Sequence, residues 1–150
     1  MIDPTIRTAE ADNGDDLAQL ELLETEARAA LVGARGGDRW LAEHPPVAQE
    51  WAGECAESCV LVAHIGDVVV GYLVGKLGTD DVLRVDQVWV TPQARENGFG
   101  DALLAGSIEI AQQRGAVAVE GQALPGDRQT KNLYERAGIV ARLITTFRWL

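Results

Sequence analysis

Residues 88–104 have the sequence VWVTPQARENGFGDALL, in which a strand pattern gives way to glycines and then to a helix pattern. Residues 85–90 are rich in β-branched and aromatic side chains, so they favour a strand. Pro92 cannot donate to a strand ladder and helps to end that strand. From Asp101 to Arg114, apolar side chains recur at helical spacing, which predicts a helix directly after the glycines.

The loop between this strand and this helix has the features of an anion-binding turn. The first amides of a helix have no internal acceptor and lie at its positive end. Gly98 and Gly100 remove side chains there, so a phosphate could approach the backbone. Taken alone, the spacing Arg95-x-x-Gly98-x-Gly100 fits an ordinary turn before an ordinary helix at least as well.

Composition predicts one globular domain over residues 1–150, with 47% hydrophobic and 24% charged residues. No apolar run approaches the ~20 residues of a membrane helix, and the start shows no signal-peptide pattern. We therefore expect a cytoplasmic protein. The spacing of Cys55 and Cys59 is not that of a zinc site. Neither His44 nor His64 has a cysteine or serine partner that would suggest a catalytic triad. We expect no metal.

The net charge of −10 limits the class of partner. Nucleic acid and anionic membranes both require a basic surface, so neither is expected as the main partner. An acidic surface favours a cationic acceptor such as an amine, although solubility alone explains the charge equally well.

The order of predicted elements indicates an α/β fold. A helix is predicted over residues 16–31, with Glu21, Glu24 and Glu26 on its exposed face. Residues 39–56 predict only short helical segments interrupted by two prolines. A helix between two neighbouring strands requires a parallel pair, so we expect a mixed sheet with helices on both faces. The other predicted elements are strands over 5–9, 59–65, 68–77, 82–90 and 116–122, helices over 101–115 and 128–137, and a final strand over 139–150.

Two motifs resemble those of the GCN5-related N-acetyltransferase (GNAT) family. The pattern V-x-P-x-x-R-x-x-G-x-G at residues 90–100 resembles motif A, which in that family holds the pyrophosphate of acetyl-CoA. Residues 127–139, DRQTKNLYERAGI, resemble motif B. The resemblance implies a mixed six- or seven-stranded sheet with about four helices on both faces. The family usually has two strands after its last helix, whereas only twelve residues remain here, so we expect one long or bent strand.

The resemblance implies acetyl-CoA as cosubstrate, with its diphosphate on the loop amides and its pantetheine arm paired to the preceding strand. Family loops often carry a basic residue where Glu96 and Asn97 stand, so we expect the amides to do more of the binding. Asp127 stands where asparagine is usual and cannot donate a hydrogen bond, which makes Asn132 a second candidate for that contact. The remaining implied cofactor contacts are Val88, Val90, Arg95, Gly98, Phe99, Gly100 and Tyr134.

The resemblance also implies that Tyr134 is the general acid that protonates the leaving sulfur. A phenol suits this role because it is protonated at neutral pH, yet is a stronger acid than water. The alternative is a tyrosine that only packs in the core.

Family bases are commonly a carboxylate on the strand before motif A. Asp86 is the candidate on that strand, and Glu120 on the next strand is the second. With regular pairing Asp86 lies on the same face as Val88, which a bulge would change. An ion pair of Asp86 with Arg84 or Lys76, and an amine that needs no dedicated base, are the alternatives.

In this family the region corresponding to residues 39–56 lines the acceptor site. Trp40 could form part of its wall, whereas Trp51 is expected to pack on the sheet. We therefore predict an acetyl-CoA-dependent N-acetyltransferase that acts on a primary amine of a small molecule or protein by direct attack on the thioester. The alternatives are a non-catalytic acyl-CoA-binding regulatory module and a transferase for longer acyl chains. A homodimer through the sheet edge is also compatible with the fold.

Overall fold

The computed structural model describes residues 3–150 and contains five strands and five α-helices within that range. The strands are β1 (Thr5–Thr8), β2 (Cys59–Ile65), β3 (Val68–Leu77), β4 (Val82–Val90) and β5 (Ala118–Gly121). The α-helices are α1 (Gly14–Leu31), α2 (Gly37–Glu43), α3 (Trp51–Glu57), α4 (Phe99–Gln113) and α5 (Arg128–Arg136). Short 3-10 helices span Ala48–Glu50 and Pro92–Ala94.

The strands form one mixed sheet in the order β1-β2-β3-β4-β5. The first three pairings are antiparallel, and β4 and β5 are parallel. The α4 helix supplies the crossover that a parallel pair requires. The predicted fold class is therefore confirmed, although within residues 3–150 the sheet has five strands rather than six or seven.

Two apolar clusters cover the two faces of the sheet. One lies beneath α4 and α5, where Leu103 and Leu104 are fully buried. The other lies beneath α1 and α3, where the ring of Trp51 meets that of Tyr72 edge-on at a centroid distance of 5.6 Å. Trp51 therefore packs on the sheet, as predicted. Each buried side chain of this size contributes about 1.5–3 kcal/mol, so both faces stabilise the fold.

A buried carboxylate fastens α1 to the sheet edge. Asp16, in the first turn of α1, is 1% exposed and accepts hydrogen bonds of 2.6 and 2.7 Å from the Arg7 guanidinium of β1. Asn13 caps the same turn by accepting from the Asp16 amide at 3.1 Å. The hydrogen bonds from Arg7 lower the pKa of Asp16. Their stabilisation is therefore present at neutral pH and is lost as the pH falls through the folded-state pKa.

The prediction of a final strand over residues 139–150 is wrong. These residues have no regular secondary structure, and from Val140 onward they are exposed. The far end of the segment touches α2, because the Trp149 indole donates to an Asp38 oxygen at 2.8 Å and the Arg39 guanidinium lies 4.2 Å from the ring centre of Phe147. Strand propensity reflects packing against neighbouring strands, so strand-like composition does not produce a strand without a partner.

Residues 39–56 form the end of α2, a 3-10 turn and α3. Trp40 stacks on His44 at a centroid distance of 4.2 Å. The α4 helix begins at Phe99, two residues before its predicted start. Within residues 3–150, no helix is long and apolar enough to span a bilayer, and no three His, Cys, Asp or Glu side chains cluster as metal ligands.

Candidate active site

The loop after β4 leaves a row of backbone amides without partners. Gly98 starts α4 from a left-handed conformation, with φ of 82°, and no side chain caps the helix. The first helical bond runs from the Ala102 amide to the Gly98 carbonyl at 3.0 Å. Within the described chain, the amides of residues 96–101 therefore have no protein acceptor. Such amides at a positive helix end can bind a phosphate group.

The side chains of the loop brace its backbone. Asn97 donates to the carbonyls of Ala94 and Arg95 at 3.2 and 3.0 Å. Phe99 is 1% exposed and anchors the loop in the core beneath α4. Glu96 is exposed and takes a positive φ of 67°, which is uncommon for a residue other than glycine. Residues 96–100 were all predicted as cofactor contacts. Their backbone amides, rather than their side chains, are therefore the groups available to a ligand.

Arg95 links the loop to two neighbouring elements. Its Nε donates to the Val90 carbonyl at 3.0 Å, and Nη1 lies 3.3 Å from the side-chain oxygen of Gln129 on α5. Its guanidinium carbon lies 4.6 Å from the ring centre of Trp89. Arg95 therefore holds the end of β4 and the start of α5 in place.

The two parallel strands separate beside this loop. Their pairing runs from Val82 with Ala118 to Val85 with Gly121, and β4 then continues to Val90 paired only with β3 among the described strands. The Thr91 amide donates to β3, at the Val70 carbonyl. Because main-chain groups of successive strand residues point to opposite sides, those of Val88 and Val90 face the gap. This orientation suits the predicted pairing with an extended ligand, although Arg95 already occupies the Val90 carbonyl.

Tyr134 lies over the end of β5. An added Cβ on Gly121 would lie 2.4 Å from the Tyr134 Cζ and 2.7 Å from its hydroxyl oxygen, so the ring rests where glycine provides no side chain. Tyr134 is 6% exposed, and this burial raises its pKa to about 12. The negative charges of Asp127 and Asp86 act in the same direction, whereas the Gln122 backbone opposes them. The phenol therefore carries its proton at neutral pH.

The α5 helix brings Tyr134 close to the amide row. Its neighbour Leu133 lies against Gly100, where an added Cβ would be 3.6 Å from the leucine methyl groups. An ion pair of 2.9 Å joins Arg136 to Asp101 in the first turn of α4. The amide row, the open side of β4 and Tyr134 therefore border one gap.

Two further predicted cofactor contacts, Asp127 and Asn132, lie at the cap of α5 and within it. Both carboxylate oxygens of Asp127 are used within α5, where they accept from the Thr130 amide at 3.1 Å and the Thr130 hydroxyl at 2.7 Å. Asn132 is exposed on α5, whereas its neighbours Leu133 and Tyr134 face inward. The structure thus places Asp127 as a helix cap and leaves Asn132 exposed on the same helix.

A β-bulge changes the predicted position of Asp86. Val74 pairs with Gln87 while Gly75 pairs with Val85, so Asp86 is the extra residue of β4. Val85 and Val88 consequently both pack in the cluster beneath α4 and α5. The regular pairing that would put Asp86 on the face of Val88 is therefore absent at this point of β4, and the bulge named as the alternative shifts the alternation by one residue.

Asp86 instead lies with charged groups on the α3 side of the sheet. Lys76 Nζ is 3.6 Å from Asp86 and 3.5 Å from Glu54 of α3. Asp86 therefore pairs with Lys76, one of its two predicted partners. The other, Arg84, instead pairs with Asp80 at 2.7 Å and lies 3.5 Å from Glu120. Glu120 is 59% exposed. The general-acid candidate and the first base candidate therefore lie on opposite faces of the sheet.

Sequence reasoning missed three supporting residues. Gly121 carried a usable signal, because glycine in a strand often marks a close approach. Tyr72 is fully buried, and its hydroxyl donates to the Gln87 side-chain oxygen at 2.7 Å beside the bulge. Glu24 is 2% exposed and accepts from the amides of Val47 and Ala48, at 2.9 and 2.8 Å, so its predicted exposure is wrong. The last two depend on distant partners and carried no local signal.

Comparison with known proteins identifies the fold and the family of the chain. No curated protein shows significant sequence similarity to the chain. Among solved structures, PaiA N-acetyltransferase from Thermoplasma acidophilum, in complex with coenzyme A, has a TM-score of 0.74 at 14% identity and covers 91% of this chain and 89% of its own. AAC(6')-Iy, in complex with the bisubstrate analogue CoA-S-monomethyl-acetylneamine, has a TM-score of 0.68 at 15% identity and covers 99% and 100%.

The ribosomal-protein-alanine N-acetyltransferase from Brucella melitensis biovar Abortus 2308 has a TM-score of 0.68 at 18% identity and covers 98% of this chain and 97% of its own. At these identities the structural likeness shows the fold. The family model described as Acetyltransferase (GNAT) family matches residues 18–139, which is most of the sequence and includes both motifs. The chain therefore belongs to the GNAT family of acetyltransferases.

Proposed function

We propose that the protein transfers an acetyl group from acetyl-CoA to a primary amine of a small molecule or protein, by direct attack of the amine on the thioester. The observation that carries this proposal is the convergence of three features on one gap. These features are the uncapped amides of residues 96–101, the open side of β4 at Val88, and Tyr134. Each suits a different part of acetyl-CoA: the diphosphate, the pantetheine amides and the sulfur.

The reaction needs two proton transfers. The amine nitrogen attacks the thioester carbonyl carbon, and the carbon–sulfur bond breaks as the amide forms. The Tyr134 hydroxyl supplies the proton that the leaving sulfur takes up, and solvent later restores it. The proton lost by the nitrogen passes to Asp86, directly or through water. Asp86 and Tyr134 lie on opposite faces of the sheet, so each handles a different proton. An amine that arrives already neutral does not need this base.

The charges near the bulge support a cationic acceptor. Glu54, Asp86 and Glu120 lie on the α3 side of the sheet with two basic partners, and the whole protein has a net charge of −10. A protonated amine approaching from this side would be attracted before it loses its proton. The names of the structural neighbours point to two classes of amine, because one is an aminoglycoside acetyltransferase from an uncultured soil metagenomic sample and another is a ribosomal-protein-alanine N-acetyltransferase. The panel of candidates should therefore include both classes.

The test is a measurement of free thiol with purified protein, acetyl-CoA and one acceptor at a time. The panel comprises aminoglycosides, linear polyamines and peptides with a free amino terminus, with the acetylated product identified by mass spectrometry. We expect thiol release that depends on one class of amine. Calorimetric binding of acetyl-CoA without turnover on any amine would instead support the non-catalytic binding module. Turnover only with longer acyl-CoA thioesters would support the acyltransferase alternative.

A further inference from the structure

The β-bulge turns two consecutive polar side chains of β4 to the same face of the sheet. Asp86, the extra residue of the bulge, lies 3.6 Å from Lys76 on the α3 side. Gln87 pairs with Val74 and turns to that side as well, because its oxygen meets Tyr72 in the cluster beneath α1 and α3. In a regular strand, neighbouring side chains point to opposite faces. The bulge thus sets two polar groups side by side, on Cα atoms about 3.8 Å apart.

The Tyr72 hydroxyl fixes which end of the Gln87 amide faces outward. Tyr72 is fully buried, and its hydroxyl oxygen lies 2.7 Å from the Gln87 Oε1. Burial raises the pKa of Tyr72, so the hydroxyl keeps its proton and needs an acceptor for it. Within residues 3–150, Gln87 Oε1 is the only acceptor that it meets. A reversed amide would leave the phenol proton buried without a partner, so Nε2 is the end that faces away from Tyr72.

The Gln87 amide nitrogen is a donor that the protein leaves unused. In the described part of the chain Nε2 donates to no protein oxygen, and Gln87 is half-buried rather than enclosed by the core. The indole N–H groups of Trp51 and Trp89, which pack on the same face, also meet no acceptor there. The carboxylates of Asp86 and Glu54 suit a protonated amine, whereas these N–H groups suit an oxygen.

We propose that Gln87 is a specificity-determining residue, whose Nε2 donates a hydrogen bond to an oxygen of the acceptor beside the reacting amine. This inference rests on the proposed function, in which the amine loses its proton to Asp86. With the nitrogen at Asp86, a hydroxyl or carbonyl oxygen on the next carbon atom lies within reach of the adjacent residue. The acceptor class is therefore amines with such an oxygen, which covers amino sugars and peptide amino termini but not linear polyamines. Tyr72 is the positioning residue that holds the amide.

The preference follows from what each kind of amine does to the Gln87 donor. An oxygen-free amine that fills this space displaces water from Nε2 and offers no acceptor in return. An amine with the neighbouring oxygen replaces that water by a direct hydrogen bond. A site that hydrogen-bonds a substrate oxygen therefore rejects the analogue that lacks it. For one half-buried neutral donor we expect discrimination of about tenfold.

The experiment compares matched amines by thiol release at saturating acetyl-CoA. The pairs are 2-aminocyclohexanol with cyclohexylamine, and alaninamide with sec-butylamine, and spermidine serves as an oxygen-free polyamine. The oxygen also lowers the basicity of the amine, so the test is how substitution of Gln87 changes the ratio of kcat/KM within a pair. Turnover confined to the oxygen-free amines would overturn this proposal and leave the proposed function standing. No thiol release with any amine would overturn both.

Two substitutions remove the donor in different ways. Gln87→Leu should lower the ratio about tenfold, through a fall in kcat/KM for the oxygen-bearing amine alone. Gln87→Glu keeps the shape and can still accept from Tyr72, but it has no donor and should lower the ratio as well. Gln112→Leu, at an exposed position of α4, is the control and should leave the ratio unchanged. An unchanged ratio in Gln87→Leu, or an equal fall for both members of a pair, would overturn the proposal.

The positioning role of Tyr72 has its own readout. Tyr72→Phe frees the Gln87 amide to reverse and should lower the ratio by about threefold, a smaller effect than removal of the donor. Added to Gln87→Leu, it should change the ratio no further, because the two residues act through one hydrogen bond. A loss of stability alone would lower both rates of a pair together. An unchanged ratio in Tyr72→Phe, or additive effects in the double variant, would overturn the locking of the amide by Tyr72.

Discussion

The starts of α4 and α5 are neighbours, joined by the Arg95–Gln129 contact at 3.3 Å, but they are capped in opposite ways. At α5 the Asp127 carboxylate accepts from the Thr130 amide and hydroxyl. At α4 the cap is Gly98, which has no side chain, and the amides of the first helical residues have no acceptor within residues 3–150. Both starts have the same backbone chemistry. The difference predicts that an anion binds at the start of α4 and not at that of α5, because of the two only α5 has a side-chain cap within residues 3–150.

The largest effect is expected from placing a carboxylate at the start of α4. Gly98→Asp would bring a negative charge beside the diphosphate, and a repulsion of ~4 kcal/mol at ~4 Å and an effective dielectric of ~20 weakens acetyl-CoA binding roughly 1,000-fold. Gly98→Asn is the matched control, because asparagine has the same size and tolerates the left-handed conformation. Calorimetry should show a much smaller loss for the asparagine variant. Equal losses would mean that free amides at this helix start are not the binding feature.

The next effect concerns the other helix. Tyr134→Phe removes the proposed proton donor from α5, and the loss of a general acid should lower kcat by about 100-fold. The acetyl-CoA dissociation constant should not change, because the phenyl ring still fills the space over Gly121. Glu135→Gln, an exposed neighbour on α5, serves as control. Turnover at the wild-type rate in the phenylalanine variant would remove Tyr134 from the mechanism.

Ionisation of Tyr134 should also make the stability of the protein depend on pH in the alkaline range. Burial raises its folded pKa to about 12, against about 10 in an unfolded chain. The folded state therefore holds this proton more tightly than the unfolded state. The resulting contribution to the free energy of unfolding is full below pH ~10 and is lost as the pH rises from ~10 to ~12. Two pKa units correspond to about 2–3 kcal/mol. The melting temperature of the wild type should thus fall relative to that of Tyr134→Phe as the pH rises from ~10 towards ~12, and parallel curves would contradict the assignment.

A smaller effect is expected beneath the phenol. Gly121→Ala puts a methyl group 2.4 Å from the Tyr134 Cζ, and such overpacking costs about 1–3 kcal/mol of unfolding free energy. Because the ring must move, kcat should fall as well. Gly53→Ala on α3, where an added Cβ meets nothing within 4 Å, is the control and should be neutral or stabilising. Urea denaturation and thiol release measure both quantities; an unaltered kcat would show that the ring position is not critical.

The smallest effect returns to the capped helix. Asp127→Ala removes the α5 cap and should cost about 1 kcal/mol, a fall in melting temperature of about 2–4 °C. Asp127→Asn keeps a capping oxygen and should leave the melting temperature almost unchanged. Neither change should alter acetyl-CoA binding, because both carboxylate oxygens serve the helix. A large change in the dissociation constant would mean that this side chain contacts the cofactor after all.

Features set by local backbone chemistry could be predicted before the fold was known. The strand, glycine loop and helix over residues 85–114 were found because their signals lie within a few residues of one another. Asp127 as a cap and Gly138, with φ of 80° after α5, follow from the same short-range rules. The position of Asp86 could not be predicted, because its face depends on a bulge that forms only when β4 pairs with β3.

The sequence by itself therefore determined the element order up to α5, the uncapped loop at residues 95–98 and the helix that carries Tyr134. Only the tertiary structure decided that Glu24 is buried, that Gly121 makes room for a phenol, and that residues 139–150 join none of the described strands. The physical reason is the range of the interaction. Caps and turns are satisfied by neighbours in sequence, whereas burial, strand pairing and close approach depend on what distant segments supply.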